Sequence, residues 1–185
     1  MGKVVLGTTM SVDGYINDRN GSVDALYTDF EMLQASEPMK ESIRNTGAAV
    51  MGRNTFGMSP HPEWYNDNYE YQAPIFVLTH KPPSPLPRTT GDLSFTFVTD
   101  GIESAVRQAK AAAGDKDVTI IAGASVARQA LLARLADELH IDVMPVLLGG
   151  GLRMFDGLAA EIRLERLAVV EVTGARTHLR YRVVR

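Results

Sequence analysis

Apolar positions along the chain fall into short runs separated by polar stretches rich in glycine, proline and asparagine. Most runs are β-branched and compact, and these predict strands over 3–11, 48–52, 74–79, 95–98, 118–122, 139–148, 165–173 and 177–184. Three stretches carry helical spacing instead. Residues 28–45 show a partial stripe of Phe30, Leu33, Met39 and Ile43, with Pro38 expected to break or kink it. Residues 100–113 place Ile102, Val106 and Ala109 on one face, with Asp100 and Glu103 in a capping-box pattern and Gly114 as the stop. Residues 125–136 repeat Val126, Ala130, Leu131 and Leu135, with Ser125 as the N-cap. Strands alternate with helices through the middle of the chain, which predicts an α/β fold with a mostly parallel sheet. The last two strands flank Gly174-Ala175-Arg176 and predict a closing antiparallel hairpin.

The stretches between these runs differ in character. The first strand opens into a long polar loop containing Asp13-Gly14 and Asn17-Asp18-Arg19-Asn20-Gly21. Residues 58–69 have no period and concentrate proline, asparagine and aromatics. Trp64, with Tyr65, Tyr69 and Tyr71, reads either as a ring-binding wall or as a pin holding a long loop to the domain. Gly149-Gly150-Gly151 lacks the Lys-Ser/Thr of a phosphate loop and reads as a turn.

Composition narrows the class. A chain of 185 residues suits one domain spanning 1–185. It has no cysteine, which removes disulfides, thiolate nucleophiles and cysteine zinc sites, and no metal is expected. A formal charge of −3 gives no basic surface for nucleic acid. No apolar run reaches the length of a membrane span, and Met1-Gly2-Lys3 leads straight into a strand pattern, so a cytoplasmic location is expected.

Candidate chemistry gathers where strands end. Gly52-Arg53-Asn54-Thr55, Thr79-His80-Lys81 and Gly123-Ala124-Ser125 each place small residues, hydroxyls or cations after an apolar run. Parallel sheets bind ligands outside such carboxyl ends, glycine lets backbone approach a ligand, and arginine forks onto phosphate. Three ends of one character predict an extended polyanion such as a dinucleotide. Arg53 and Lys81 are placed to supply charge for a pyrophosphate or an extra ribose phosphate.

These residues also carry a resemblance. Ser11-Val12-Asp13-Gly14-Tyr15-Ile16, Met51-Gly52-Arg53-Asn54-Thr55, Ile121-Ala122-Gly123-Ala124-Ser125, Asp137-Glu138-Leu139 and Pro145-Val146-Leu147-Leu148-Gly149-Gly150-Gly151 follow one another as motifs do in the dihydrofolate-reductase-like superfamily. Within it, the chain resembles the RibD C-terminal domain family, the reductase domain of riboflavin biosynthesis. The resemblance implies a central, mostly parallel sheet of about eight or nine strands and a bound NADPH. It implies Gly52, Arg53, Asn54 and Thr55 at the pyrophosphate. Leu78, Thr79, His80 and Lys81 would surround the adenosine and its ribose phosphate. Gly123, Ala124, Ser125 and Val126 would return to the pyrophosphate by backbone, and Thr9, Ile16 and Asn17 would border the nicotinamide. For substrate, Asp13, Asp29 and Trp64 are the candidates. Asp29 stands about as far along the chain as the pterin-binding acid of dihydrofolate reductase, although its place near a helix start also suits the helix dipole. The implied activity is an NADPH-dependent reduction of a pyrimidine- or pterin-like molecule, with 5-amino-6-(5-phosphoribosylamino)uracil as the named candidate. A non-catalytic nucleotide-binding protein and dihydrofolate reductase proper are the alternatives, and a homodimer is the expected assembly. The chain departs from the riboflavin enzyme in having no deaminase half and in its Ala-Gly-Ala-Ser turn.

Overall fold

The computed structural model describes residues 2–59, 61–172 and 174–185. Among these residues eight strands form one sheet: β1 (Val4–Ser11), β2 (Thr46–Gly52), β3 (Pro74–Leu78), β4 (Ser94–Val98), β5 (Asp117–Ile121), β6 (Glu138–Met144), β7 (Leu164–Val172) and β8 (Arg176–Val183). Their order across the sheet is β4-β3-β2-β5-β1-β6-β8-β7. In that order the six from β4 to β6 run parallel; β8 pairs antiparallel to β6, and β7 pairs antiparallel to β8. This is the α/β sheet with a C-terminal hairpin that the apolar pattern predicts. The predicted end of β7 at Thr173 and the predicted excursion through Pro60 touch positions outside the described residues.

Among the described residues six α-helices flank the sheet: α1 (Phe30–Ala35), α2 (Glu37–Asn45), α3 (Arg53–Phe56), α4 (Tyr65–Asn68), α5 (Ile102–Ala113) and α6 (Ala124–Leu132). The core is what the strands and α5 and α6 present to each other. Leu6, Ala48, Val50, Val118 and Ile120 from the sheet meet Ala105, Val106, Ala109, Ala127 and Ala130 from the helices. Alanines at the contact let helix and sheet approach closely.

The helix starts differ from the sequence expectations. The stretch 28–45 is two helices, because Ser36 leaves helical geometry and caps α2 by accepting from the Met39 N–H at 3.4 Å; Pro38 then sits in the first turn, where its missing N–H is harmless. Of the expected stripe only Leu33 is buried, while Phe30 and Ile43 face outward. Asp100 does not cap α5. Gly101 does, at φ +101°, a conformation open to glycine. Ser125 lies inside α6, whose N-cap is Gly123, and no side chain caps its first turn. That helix ends at Leu132, short of 136, with Arg134 at φ +54° in the turn beyond. β6 stops at Met144, before Pro145.

A cavity at the strand ends

The carboxyl ends of β3, β2, β5 and β1 stand side by side. Gly52 pairs with Leu78, Met51 with Ile121, and Ile121 with Gly7. The three polar strand ends picked from the sequence are therefore ends of three adjacent strands. Between them and the loops above lies a cavity of about 1220 Å3. Chain order explains its place: β1 connects outward to β2, and β5 later fills the gap between them, so the loops after β1 and β2 diverge and leave a crevice.

All the residues expected at a dinucleotide line this one cavity: Gly52, Arg53, Asn54 and Thr55; Leu78, Thr79, His80 and Lys81; Gly123, Ala124, Ser125 and Val126; and Thr9, Ile16 and Asn17. Their local structure suits an anion. Arg53, His80 and Lys81 are exposed at the rim. Thr79 is buried and its hydroxyl bonds the Lys81 backbone twice, as acceptor from N at 3.2 Å and donor to O at 3.0 Å, which fixes the turn carrying the cation. The uncapped first turn of α6 presents backbone N–H groups to the same wall. A Cβ on Gly52 would stand 2.9 Å from Val126 Cγ2, so glycine there lets β2 and α6 meet.

The substrate candidates fare differently, and none of Asp13, Asp29 and Trp64 lines the cavity. The Asp13 carboxylate takes hydrogen bonds from Ser11 Oγ at 2.5 Å, Leu148 N at 3.1 Å and Gly149 N at 2.8 Å, and the Ser11 bond leads in holding its pKa below the usual value. It stitches the loop after β1 to the triple glycine. Gly151, at φ +126°, packs so closely on the Asn17 carbonyl that a Cβ would collide with it. The triple glycine is thus a close-packed turn, and Asn17 is fixed in the cavity wall by accepting from Leu152 N at 2.8 Å.

Asp29 is 4% exposed and forms a bidentate pair with Arg176: Oδ1 with Nη2 at 2.7 Å and Oδ2 with Nε at 3.1 Å. Arg176 is 0% exposed. It also donates to Leu26 O at 2.9 Å and Thr9 Oγ1 at 3.2 Å, and Asp142 Oδ2 lies 3.5 Å from Nη1. Asp29 is thereby the counter-charge of a buried guanidinium, which the turn reading of Gly174-Ala175-Arg176 did not anticipate. Trp64 packs on Tyr65 and Tyr69, with centroids at 5.6 and 6.4 Å, in a cluster that includes Phe56 and Phe95. Of the two readings of the aromatics, the pin describes Trp64; Tyr71 alone of the four lines the cavity.

Tyr71, one of the four aromatics singled out above, and several side chains that the sequence did not flag form the far end of the cavity, beyond Thr9. Tyr27 lies near the Thr9 hydroxyl, and burial pushes its pKa up. Tyr71 is buried, its hydroxyl 2.8 Å from Ser42 Oγ, and burial pushes its pKa up to about 12. His178 Nδ1 lies 2.8 Å from Asp142 Oδ1, and His140 Nε2 lies 3.0 Å from Glu138 Oε2. Burial lowers the His140 pKa, outweighing the Glu138 carboxylate, so its imidazole is neutral at physiological pH. Glu70 completes this end.

An eight-stranded mixed sheet with a crevice at these strand ends defines the dihydrofolate-reductase-like class of α/β proteins. Within that class the chain belongs to the RibD C-terminal domain family, whose model matches residues 2–179. Among curated proteins it is similar to two uncharacterized Bacillus subtilis proteins. YwjB is 28% identical over 97% of both chains, and YyaP is 25% identical over 88% of this chain and 85% of that one. Among solved structures, a putative riboflavin biosynthesis protein from Shewanella sp. PV-4 superposes with a TM-score of 0.79 at 24% identity, covering 99% of each chain. The bifunctional deaminase and 5-amino-6-(5-phosphoribosylamino)uracil reductase of Thermotoga maritima gives 0.69 at 16% identity, covering 99% of this chain and 57% of that one. Enterococcus faecalis dihydrofolate reductase gives 0.63 at 16%, covering 100% and 98%. At these identities the likeness of the solved structures is one of fold. Among the described residues no helix is long and apolar enough to cross a membrane.

Proposed function

We propose that the chain is an NADPH-dependent reductase of a pyrimidine- or pterin-like small molecule, with 5-amino-6-(5-phosphoribosylamino)uracil as the named candidate. The observation that carries this reading is the coincidence of every expected dinucleotide contact in one cavity with a cationic rim. The donor set fits the cofactor. Arg53, Asn54 and the open N–H groups at the start of α6 suit a pyrophosphate. Lys81 and His80 suit the extra ribose phosphate, and Thr9, Ile16 and Asn17 border the nicotinamide end. When bound, NADPH supplies a hydride. The protein's part is to hold both rings in register and to exclude water between apolar walls such as Ile16 and Leu33. Dihydrofolate reductase proper is the weaker reading, because Asp29 is engaged by Arg176. A non-catalytic nucleotide binder remains as the alternative that turnover decides.

The test is loss of nicotinamide absorbance on mixing enzyme and NADPH with pterins, ribosylated pyrimidines or quinones. Turnover with a ring of the first two classes is expected. Tight NADPH binding with no turnover on any acceptor would turn the reading to a nucleotide binder. The proposal includes a cytoplasmic homodimer. Leu164, Leu167, Val169 and Val170 are exposed on the edge strand β7, where unpaired backbone invites a second copy. A monomer by light scattering would refute that part.

A further inference from the structure

Three strands carry one row of side chains at the far end of the cavity. Thr9 of β1 pairs with Asp142 of β6, and Asp142 pairs with His178 of β8; all three line the cavity. The row spans two strand spacings, roughly 10 Å. Asp142 is held at both oxygens. Its Oδ2 lies 3.5 Å from Arg176 Nη1, and its Oδ1 lies 2.8 Å from His178 Nδ1. A carboxylate only accepts, so Nδ1 carries the ring's fixed proton and Nε2 is the nitrogen that exchanges one. Among the described residues Nε2 has no partner, and Arg180 Nε is the only unpartnered side-chain nitrogen or oxygen shut off from solvent. The Nε2 of His178 is therefore open to the cavity.

The other groups at this end are less suited to giving up a proton. The His140 ring packs edge-on against His178, with centroids at 5.5 Å, but its Nε2 is turned to Glu138 and burial lowers its pKa. Burial raises the pKa of Tyr27, and that of Tyr71 to about 12. Glu70 lines the cavity but makes no side-chain hydrogen bond or ion pair with any described residue, so nothing orients its carboxyl. Arg176 is answered by Asp29, and Arg180 approaches Glu41 and Glu138, which leaves Asp142 as the charge that His178 meets directly. From β7 it is Val170 that stands opposite His178, and it adds no charge.

We propose that His178 is the proton donor of the reduction, delivering from Nε2 to the heteroatom beside the carbon that accepts hydride, and that Asp142 is its positioning residue. This rests on the reductase reading, which sets the nicotinamide against Thr9 at the other end of the row. The acceptor's C=N or C=O bond gains a hydride at carbon from the reduced nicotinamide. The π electron pair of that bond moves to the heteroatom, which takes the proton from the imidazolium Nε2. The nicotinamide is left oxidised and the imidazole neutral, and water in the open cavity restores the imidazole's proton. Asp142 keeps Nδ1 protonated, so the ring regains its proton only at Nε2, the same part a carboxylate plays for an imidazole in hydrolytic triads.

The experiment measures NADPH oxidation by the wild type and His178→Gln with two acceptors. The C=N bond of 7,8-dihydropterin is neutral and needs a proton; that of 1-methylquinoxalinium is already cationic and needs hydride alone. H178Q is expected to slow the first about 100-fold or more and the second less than about 3-fold, with NADPH affinity unchanged. A merely structural role for His178 would slow both alike and would overturn the proposal. So would equal rates on dihydropterin, or a wild type that reduces only the cation. A wild type that reduces neither would overturn the reductase reading and this role together, whereas turnover that H178Q leaves intact would overturn the role alone. Nitrogen NMR on the free, histidine-labelled protein is the second measurement. One neutral ring, absent from H178Q, is expected as the Nδ1–H tautomer and is expected to shift toward Nε2–H in Asp142→Asn. A wild-type His178 protonated at Nε2 alone would refute the pairing whatever the acceptors show.

Discussion

Asp29→Ala separates a structural acid from a substrate acid. The substitution removes both oxygens that hold the Arg176 guanidinium, at 2.7 and 3.1 Å, from a site where the arginine is 0% and the aspartate 4% exposed. Removing one partner of a buried pair leaves an uncompensated charge and costs about 3–5 kcal/mol. Two lost charge-assisted hydrogen bonds, at about 1.5–3 kcal/mol each, give the same scale. Arg176 keeps Leu26 O at 2.9 Å, Thr9 Oγ1 at 3.2 Å and the Asp142 carboxylate at 3.5 Å, which places the expected loss at the lower end, about 3 kcal/mol. For a domain of this length each kcal/mol moves the melting temperature by about 2–4 °C, so a fall of roughly 6–12 °C is expected. Urea unfolding measures the free energy and a thermal scan the shift. The cycle of Asp29→Leu and Arg176→Met adds a sign: the double variant buries no charge and is expected to recover most of the loss. A loss in Asp29→Ala below about 1 kcal/mol, the value of an exposed pair, would refute the reasoning. A near-normal stability with a large rise in substrate KM would return Asp29 to the substrate.

Arg53→Ala is expected to weaken NADPH by about 1.5–3 kcal/mol in a fluorescence titration, and an unchanged Kd would remove Arg53 from the site. NADPH is expected to bind more tightly than NADH, with Lys81→Ala narrowing the gap; equal affinities in the wild type would sink the assignment of Lys81 and His80 to a ribose phosphate. Glu70→Gln is expected to be at least as stable as the wild type at neutral pH. Burial raises the folded-state pKa of Glu70 above its ordinary value of 4.5, so its stabilising contribution is full below that value and is lost as pH rises through the folded pKa. The glutamine variant should therefore gain relative to wild type between pH 4 and neutral (roughly, the span of that titration), and parallel pH profiles of urea midpoints would contradict it.

The end of the cavity proposed for the dinucleotide was legible because its signal is local. An apolar run that stops at Gly52 and continues as Arg53-Asn54-Thr55 carries burial, turn and charge within a few residues, and the same holds at Thr79-His80-Lys81. What no local pattern held was adjacency: β3, β2 and β5 become neighbours only because β5 inserts between β1 and β2. The far end was illegible for the opposite reason. Arg176 follows a glycine and an alanine and reads as a turn, yet its partner Asp29 stands 147 residues earlier. Glu70 is one acid in an aperiodic aromatic stretch, and nothing in its neighbours marks it as lacking a partner. The caps misread at Asp100 and Ser125 share a cause: glycine preceded both helices, and a glycine N-cap leaves first-turn N–H groups open where an aspartate or serine would have closed them. At α6 that opening faces the cavity.

The two ends of the cavity have opposite polarity, and this bears on the substrate as well as on the cofactor. The exposed cations Arg53 and Lys81 stand at the rim beside His80, which is the side where the proposed cofactor's phosphates would lie. At the Glu70 end the nearest cations are already engaged. Arg176 is neutralised by Asp29 and Asp142. In a smaller hollow that shares His140, His178 and Ser42 with the cavity, Lys3 pairs with Glu138 at 2.7 Å. Arg180 there approaches Glu41 and Glu138 at 3.5 and 3.7 Å and keeps one buried Nε–H without a partner. A phosphate reaching this hollow would compete with Glu41 and Glu138 for the cations there, and the Arg180 Nε–H is buried away from it. An uncharged or cationic ring meets no such competition. Comparing 5-amino-6-(5-phosphoribosylamino)uracil, the candidate proposed above, with an unphosphorylated ring in one NADPH-oxidation assay therefore separates the pathway enzyme, expected to prefer the former, from a relative that has kept its fold and changed its substrate.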